Sequence, residues 1–309
     1  MQGWREEMED AHVAFPDFDP LRRIAFFGVF DGHGGSAVAE TVAERLPETL
    51  RALPEYQRGE YQEALEKAFM AQDAYLQTKA GRATIAKRSG GETPISMGTT
   101  AVVALVCAEP PPGRLFVANC GDSRAVLVAG QGALALSKDH SPRDPDERRR
   151  IQRAGGNVNR EGRINGNLNL SRAIGDLFYK RNKKLPPEAQ LISAQPEVRC
   201  RMLTAHDRYL LLGCDGVWER FTNQQVVDFM LKRLSSPSKV SQACAQFLDS
   251  NLSKNPMRTD GLGCDNMTLL CVRLLRPDLR PAATEPAEMP QPKRSAPKRL
   301  VRRAVVARV

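Results

Sequence analysis

The chain has 309 residues, enough for one large domain or two ordinary ones, and its 41% hydrophobic content is that of a soluble globular protein. No apolar run approaches the roughly 20 residues that a bilayer-spanning helix needs, and Met1-Gln2-Gly3-Trp4-Arg5-Glu6-Glu7 has no signal-peptide core. The net charge of +9 resides in residues 293–309, which hold seven basic residues and no acid; without them 38 basic residues face 36 acidic ones, so a nucleic-acid partner is not expected.

Seven cysteines with no Cys-x-x-Cys pair argue against a disulfide framework or a zinc site. Cys107, Cys120, Cys214 and Cys271 lie within apolar runs, where reduced thiols pack as small hydrophobes. The expected location is cytoplasmic, nuclear or both.

In chain order, the apolar run Ile24–Phe30 predicts a strand ending in Asp31-Gly32-His33-Gly34-Gly35. Helical spacing follows in 36–50 (Val38, Val42, Leu46, Leu50) and again in 60–79 (Tyr61, Leu65, Phe69, Gln72, Leu76). Residues 81–96, polar and glycine-bearing, read as an exposed loop. Strands are predicted at Thr99–Cys107, Arg114–Asn119 and Ala125–Ala129, with Pro110–Gly113 and Gly121–Ser123 as hairpin connections. A helix over 145–154 stops at Gly155-Gly156.

Residues 157–195 read as irregular, and strands resume at Val198–Leu203 and Tyr209–Cys214. Thr222 and Gln225 form a capping box that opens a helix to about Leu234. Ser236-Pro237 starts another helix, and Met267–Leu275 is the last strand. Antiparallel hairpins with helices grouped elsewhere predict an α+β layered fold. One domain over 1–276 is expected, then a Pro-rich and basic tail over 277–309.

Acids recur at strand ends: Asp31, Asp139 after Ala133–Ser137, Asp215 and Asp265, with Glu9-Asp10 near the N-terminus. Singly, each is most simply a turn residue or helix cap. Together, buried carboxylates without partners are unfavourable, and a hard divalent cation is the simplest neutraliser. All-oxygen ligands with four histidines in the chain favour Mg²⁺ or Mn²⁺ over Zn²⁺.

Eight motifs in order carry a family resemblance: Met1-Gln2-Gly3-Trp4-Arg5 with Met8-Glu9-Asp10-Ala11-His12; Val29–Gly35; Gly98-Thr99-Thr100-Ala101; Asn119-Cys120-Gly121-Asp122-Ser123-Arg124; Asp139-His140; 165–176, ending Ser171-Arg172-Ala173-Ile174-Gly175-Asp176; Cys214-Asp215-Gly216-Val217-Trp218; and Cys264-Asp265-Asn266. Over residues 1 to about 275 the chain resembles the metal-dependent Ser/Thr protein phosphatases of the 2C class. The resemblance implies a four-layer α-β-β-α sandwich, with two central antiparallel sheets flanked by helices. It implies a phosphoprotein phosphatase that hydrolyses phosphoserine and phosphothreonine by direct attack of a water shared between two divalent cations.

Carried over by position, Asp31 would bridge both cations. Asp215 and Asp265 would hold the first, and Glu9 with the Gly32 carbonyl the second. Asp139 matches a position that, with Asp215, can hold a third, weaker cation. Asp10 would orient the water, Arg5 would bind the substrate phosphate, and His33 would be the general acid. The alternative is an inactive pseudophosphatase that binds partners through the same fold. A monomer acting on phosphoproteins is expected. The class carries a further strand before the motif that opens here at Met1, so one sheet is expected to be short of an edge strand, with weaker anchorage for Arg5 and Glu9. The segment Lys183–Gln190 is longer than the plain loop of the class and bears on substrate preference.

Overall fold

The computed structural model describes residues 1–91, 95–109, 113–234, 240–274 and 305–308, and two five-stranded sheets form its centre. The first has the order β1 (Ala11–Asp19), β2 (Ile24–Phe30), β5 (Ala101–Cys107), β6 (Arg114–Cys120), β10 (Glu197–Met202). The second has the order β13 (Val305–Arg308), β12 (Leu269–Arg273), β11 (Asp207–Gly213), β7 (Arg124–Ala129), β8 (Gly132–Ala135). Their pairings are antiparallel except that of β12 with β13. A third, small sheet joins β3 (Gly32–His33), β4 (Gly98–Thr99) and β9 (Ile174–Gly175).

Side-chain alternation explains the layering. Along β2, Phe26 and Phe30 point to one buried cluster and Ala25, Phe27 and Val29 to the other. The first cluster is filled by α1 (Ala37–Ala52) and, beyond the short α2 (Pro54–Gln57), α3 (Tyr61–Gln77). The second is filled by the inner faces of both sheets and by α7 (Asn223–Arg233) and α8 (Val240–Asn251). Layers on both sides leave all seven residues of β2 buried, which is why its sequence is a continuous apolar run. Each large side chain withdrawn this way contributes about 1.5–3 kcal/mol. The expected α-β-β-α sandwich is observed.

Several local expectations are corrected. The segment read as a loop contains the helix α4 (Lys79–Arg88), begun by Thr78, whose hydroxyl accepts from the Gly81 amide at 3.0 Å, and anchored by buried Ile85. Its weak amphipathicity hid it. The strand β1 was not anticipated either; it lies at the edge of its sheet and is paired with β2 alone. Gly121–Ser123 is not a hairpin turn, because β6 pairs with β5 and β10 while β7 pairs with β8 and β11. That connection carries the chain from one sheet to the other.

The helix α5 (Pro145–Arg153) and the Thr222–Gln225 capping box are as expected. Residues 110–112, the start expected at Ser236-Pro237 and most of the tail lie outside the described residues. Within the tail, 305–308 form the outer strand beside β12. The Met1 amino group donates to the Met267 carbonyl at 2.7 Å, and the amides of Met267 and Trp4 donate to the carbonyls of Met1 and Cys264, each at 2.8 Å. Arg5 is therefore held by direct pairing of residues 1–4 with 264–267. No helix among the described residues is long and apolar enough to cross a membrane.

Candidate active site

The antiparallel register places one end of the sandwich at a single set of chain reversals. The start of β1, the exit of β2, the start of β5, the β6–β7 crossover, the exit of β11 and the entry to β12 all lie there. Asp10, Asp31, Thr100, Asp122, Asp215 and Thr268 are thus neighbours, although the chain separates the first from the last by more than 250 residues.

Asp31, Asp122 and Asp215 each offer a carboxylate oxygen within 4.8 Å of one another, and Asp10, Asp31 and the Cys214 thiol form an overlapping group. Asp31 belongs to both. The local fold aims it: the Asp31 carbonyl accepts from the Thr100 amide at 2.9 Å, and the Thr100 hydroxyl pairs with that of Ser123 at 2.7 Å. Asp215 opens the single turn α6 (Asp215–Trp218) as the chain leaves β11.

These carboxylates are partly exposed, yet protein surrounds them closely enough to resist ionisation. Burial, and then repulsion from Asp215, Asp10 and Asp122, raises the Asp31 pKa well above the usual range. Asp122 is pushed up to about 8 by burial and then by Asp215 and Asp139. Asp10 reaches about 6 through burial, partly relieved by the Thr268 hydroxyl, which donates to its Oδ2 at 2.7 Å. Burial and Asp265 raise Asp215.

The other carboxylate oxygen of Asp10, Oδ1, is buried with no hydrogen-bond partner. An orphaned buried oxygen beside three repelling carboxylates is strongly unfavourable without positive charge. Hard oxygen donors fit a hard divalent cation, and that is the group these residues suit. Cys214 does not turn the site into a thiolate site. Burial and the surrounding carboxylates drive its pKa far up, and its sulfur accepts from the Thr268 amide at 3.1 Å.

The other expected residues fall around this cluster. The Asp265 carboxylate pairs with the Arg5 guanidinium at 2.8 Å, which sets the predicted phosphate ligand beside the acids. Asn266, in the last motif but given no role there, ties this edge together. Its Oδ1 accepts from the Glu9 amide at 2.8 Å, and its Nδ2 donates to the carbonyls of Gln2 and Glu7 at 2.8 and 3.0 Å. The Glu9 carboxylate accepts from the Gly35 amide. Gly32 has to be glycine, since a Cβ there would stand 2.4 Å from the Glu9 carbonyl oxygen.

His33 lies on β3, with its Nε2 2.8 Å from Asp176 Oδ2. Burial favours its neutral ring, but the charge and hydrogen bond of Asp176 outweigh this and raise the His33 pKa. Asp139 stands near enough to Asp122 to raise the Asp122 pKa. Arg124 grips it with two hydrogen bonds, 3.0 and 2.7 Å, and extends to Asn223 at 2.6 Å. The carboxylate grouped within 4.8 Å of Asp31 and Asp215 is Asp122, to which the sequence assigns no role because Gly121–Ser123 has the composition of an ordinary turn.

The sequence model described as "Protein phosphatase 2C" matches residues 1–257. The chain belongs to the protein phosphatase 2C family. It is 44% identical over 273 residues to "Probable protein phosphatase 2C 5" of Paramecium tetraurelia, covering 88% of this chain and 90% of that one. It is 39% identical over 326 residues to "Probable protein phosphatase 2C 60" of Arabidopsis thaliana, covering 92% and 89%. A crystal structure of a phosphatase from a pathogenic strain of Toxoplasma gondii superposes with a TM-score of 0.66 at 28% identity, covering 81% of this chain and 85% of that one. Family membership and the acidic cluster together identify a metal-dependent serine/threonine protein phosphatase. The inactive-scaffold alternative is not favoured.

Proposed function

We propose that this phosphatase hydrolyses phosphoserine and phosphothreonine in proteins by direct transfer of the phosphoryl group to water, with two Mg²⁺ or Mn²⁺ ions as cofactors. The observation that carries this reading is the convergence of Asp31, Asp122 and Asp215 with Arg5 close by. Asp31 would be shared between the ions, with Asp215 and Asp265 on one side and Glu9 and the Gly32 carbonyl on the other. Asp139 with Asp215 would hold a third and weaker ion, and Asp122, whose pKa both of them raise, stands beside them. When bound, such ions neutralise the carboxylates, polarise the phosphoryl oxygens and bring the acidity of water to near-neutral pH.

The remaining roles belong to this chain's own side chains. Arg5 is exposed and hydrogen-bonded to Asp265, so its planar fork can grip two phosphate oxygens of an arriving substrate. Asp10, held through Oδ2 by Thr268, has Oδ1 free to orient the attacking water and take its proton. His33 would protonate the departing serine or threonine oxygen, a poor leaving group as an alkoxide. A monomer in the cytoplasm, the nucleus or both, with no nucleic-acid partner, completes the proposal. The unpaired cysteines support the reducing compartment.

The test is turnover of a phosphothreonine peptide with and without Mn²⁺, in the native enzyme and in Asp215→Asn. Several kcal/mol of lost charge stabilisation corresponds to a fall of roughly a hundredfold or more in the variant. Metal-independent turnover, or full activity of Asp215→Asn, would overturn the proposal.

A further inference from the structure

The small sheet β3–β4–β9 has an unusual content: six residues, of which three are glycines and one is His33. It joins the tip of the Asp31 loop, the start of β5 and the middle of the long irregular segment 157–195. What it brings together is His33 and Asp176. The Asp176 carboxylate is 2% exposed, and its partner is the His33 ring rather than an arginine or lysine. Gly98 lies beneath the pair. A Cβ at that position would stand 2.5 Å from both Asp176 Oδ2 and His33 Nε2, so the glycine makes room for the hydrogen bond.

The backbone that aims Asp176 is held in an unfavourable shape. Gly175 and Asp176 are both left-handed, with φ of +91° and +50°, a conformation unfavourable for a non-glycine residue and kept only when the surroundings over-determine it. They do so here. The Gly175 amide donates to Asp73 Oδ1 at 2.9 Å, Lys180 pairs with the same oxygen at 2.5 Å inside the protein, and the Asp176 amide donates to the Met97 carbonyl at 2.8 Å.

We infer that Asp176 is the positioning residue for His33: by accepting from Nε2 it fixes the ring's plane and leaves Nδ1 to face the leaving oxygen. The inference rests on the general-acid reading of His33. In that step the Nδ1–H bond breaks and an O–H bond to the serine or threonine oxygen forms. The ring is left neutral, still bound through Nε2 to Asp176.

Leaving-group dependence tests this. A phosphothreonine peptide departs as an alkoxide and needs a proton, whereas p-nitrophenyl phosphate departs as a stable phenolate. With metal saturating, His33→Gln should lower kcat on the peptide by roughly a hundredfold and Asp176→Asn by roughly tenfold. Both should fall several-fold less on the aryl ester, with KM little changed. Asparagine tolerates the left-handed backbone, and Gly98→Ala, which pushes the pair apart from below, is a second variant expected to show the same selective loss.

The double variant His33→Gln/Asp176→Asn should be no slower than His33→Gln alone. If Asp176→Asn and Gly98→Ala slow both substrates alike, or Asp176→Asn slows the His33→Gln enzyme further, Asp176 is merely structural and the inference is overturned. Selectivity in His33→Gln without selectivity in Asp176→Asn also overturns it, while sparing the general-acid reading. No selectivity in His33→Gln itself overturns that reading and the inference together.

Discussion

Asp122 and Asp139 are two aspartates near one site, and their surroundings separate their roles. Asp139 has its charge balanced by a two-point grip from Arg124, whereas Asp122 has no such partner, and burial with Asp215 and Asp139 pushes its pKa up to about 8. Asp122→Asn should therefore weaken Mg²⁺ or Mn²⁺ binding measured by calorimetry. Asp139→Asn should leave binding of the two tighter ions within about twofold but lower stability by roughly 1–3 kcal/mol, because Arg124 loses a charged partner. Equal losses of metal affinity in the two variants would contradict this division. Asp122 could have been found from sequence by noting that it, too, directly follows an apolar strand. The glycine before it and the serine after it made a turn the more economical explanation.

At the scale of elements, the segment 173–180 depends on one ion pair. Asp73 on α3 and Lys180 are both buried, and Asp73 also accepts from the Gly175 amide. Removing the carboxylate leaves a buried ammonium with only the Ala173 carbonyl as partner. Asp73→Ala should thus cost about 3–5 kcal/mol in chemical denaturation. Asp73→Ala/Lys180→Met, which removes both charges, should recover much of that loss, and failure to recover it would show that the pair itself is not the cause. The second edge at issue is that of β12. Deleting residues 300–309 removes its parallel neighbour β13, so amides in Leu270–Arg273 should exchange with deuterium faster in the truncated protein. Unchanged protection there would mean that β13 adds nothing to the sheet.

Across the whole molecule, the acidic end links folding to pH. Asp122 holds its proton in the folded protein up to about pH 8, while in the unfolded chain it loses it near pH 4. That raised pKa stabilises the metal-free fold most at low pH, and the contribution fades as pH rises through 8. His140 acts in the opposite sense: burial lowers its pKa to about 4, so its contribution grows as pH rises and is complete above its unfolded value near 6.5. The window from pH 7 to 9 lies above the His140 contribution, and His33, whose pKa is also raised, acts there in the same sense as the carboxylates. In EDTA, Tm should fall across that window; the fall should be smaller in Asp122→Asn and should shrink with saturating Mg²⁺. A flat profile in EDTA would show that the acids are not held protonated.

Which parts could be read from residues alone follows from the range of the forces involved. Periodicity and capping are local, so β2, α1, α3, α7 and the layered α+β class were legible, as was the motif order that marks the family. α4 escaped because its few buried side chains make no clear stripe, and β1 because it is an edge strand with a half-exposed, mixed sequence. That Asp31, Asp215 and Asp265 stand at strand ends was also readable, while the roles of Glu9, Arg5 and His33 came with the family resemblance. Their grouping was not readable. Only the antiparallel register brings six distant chain reversals to one end of the sandwich, turns Gly121–Ser123 into a crossover that delivers Asp122, and lets Arg124 claim Asp139. The same holds for His33 and Asp176, 143 residues apart: nothing local in the sequence distinguishes a buried carboxylate that aims a histidine from one that caps a turn.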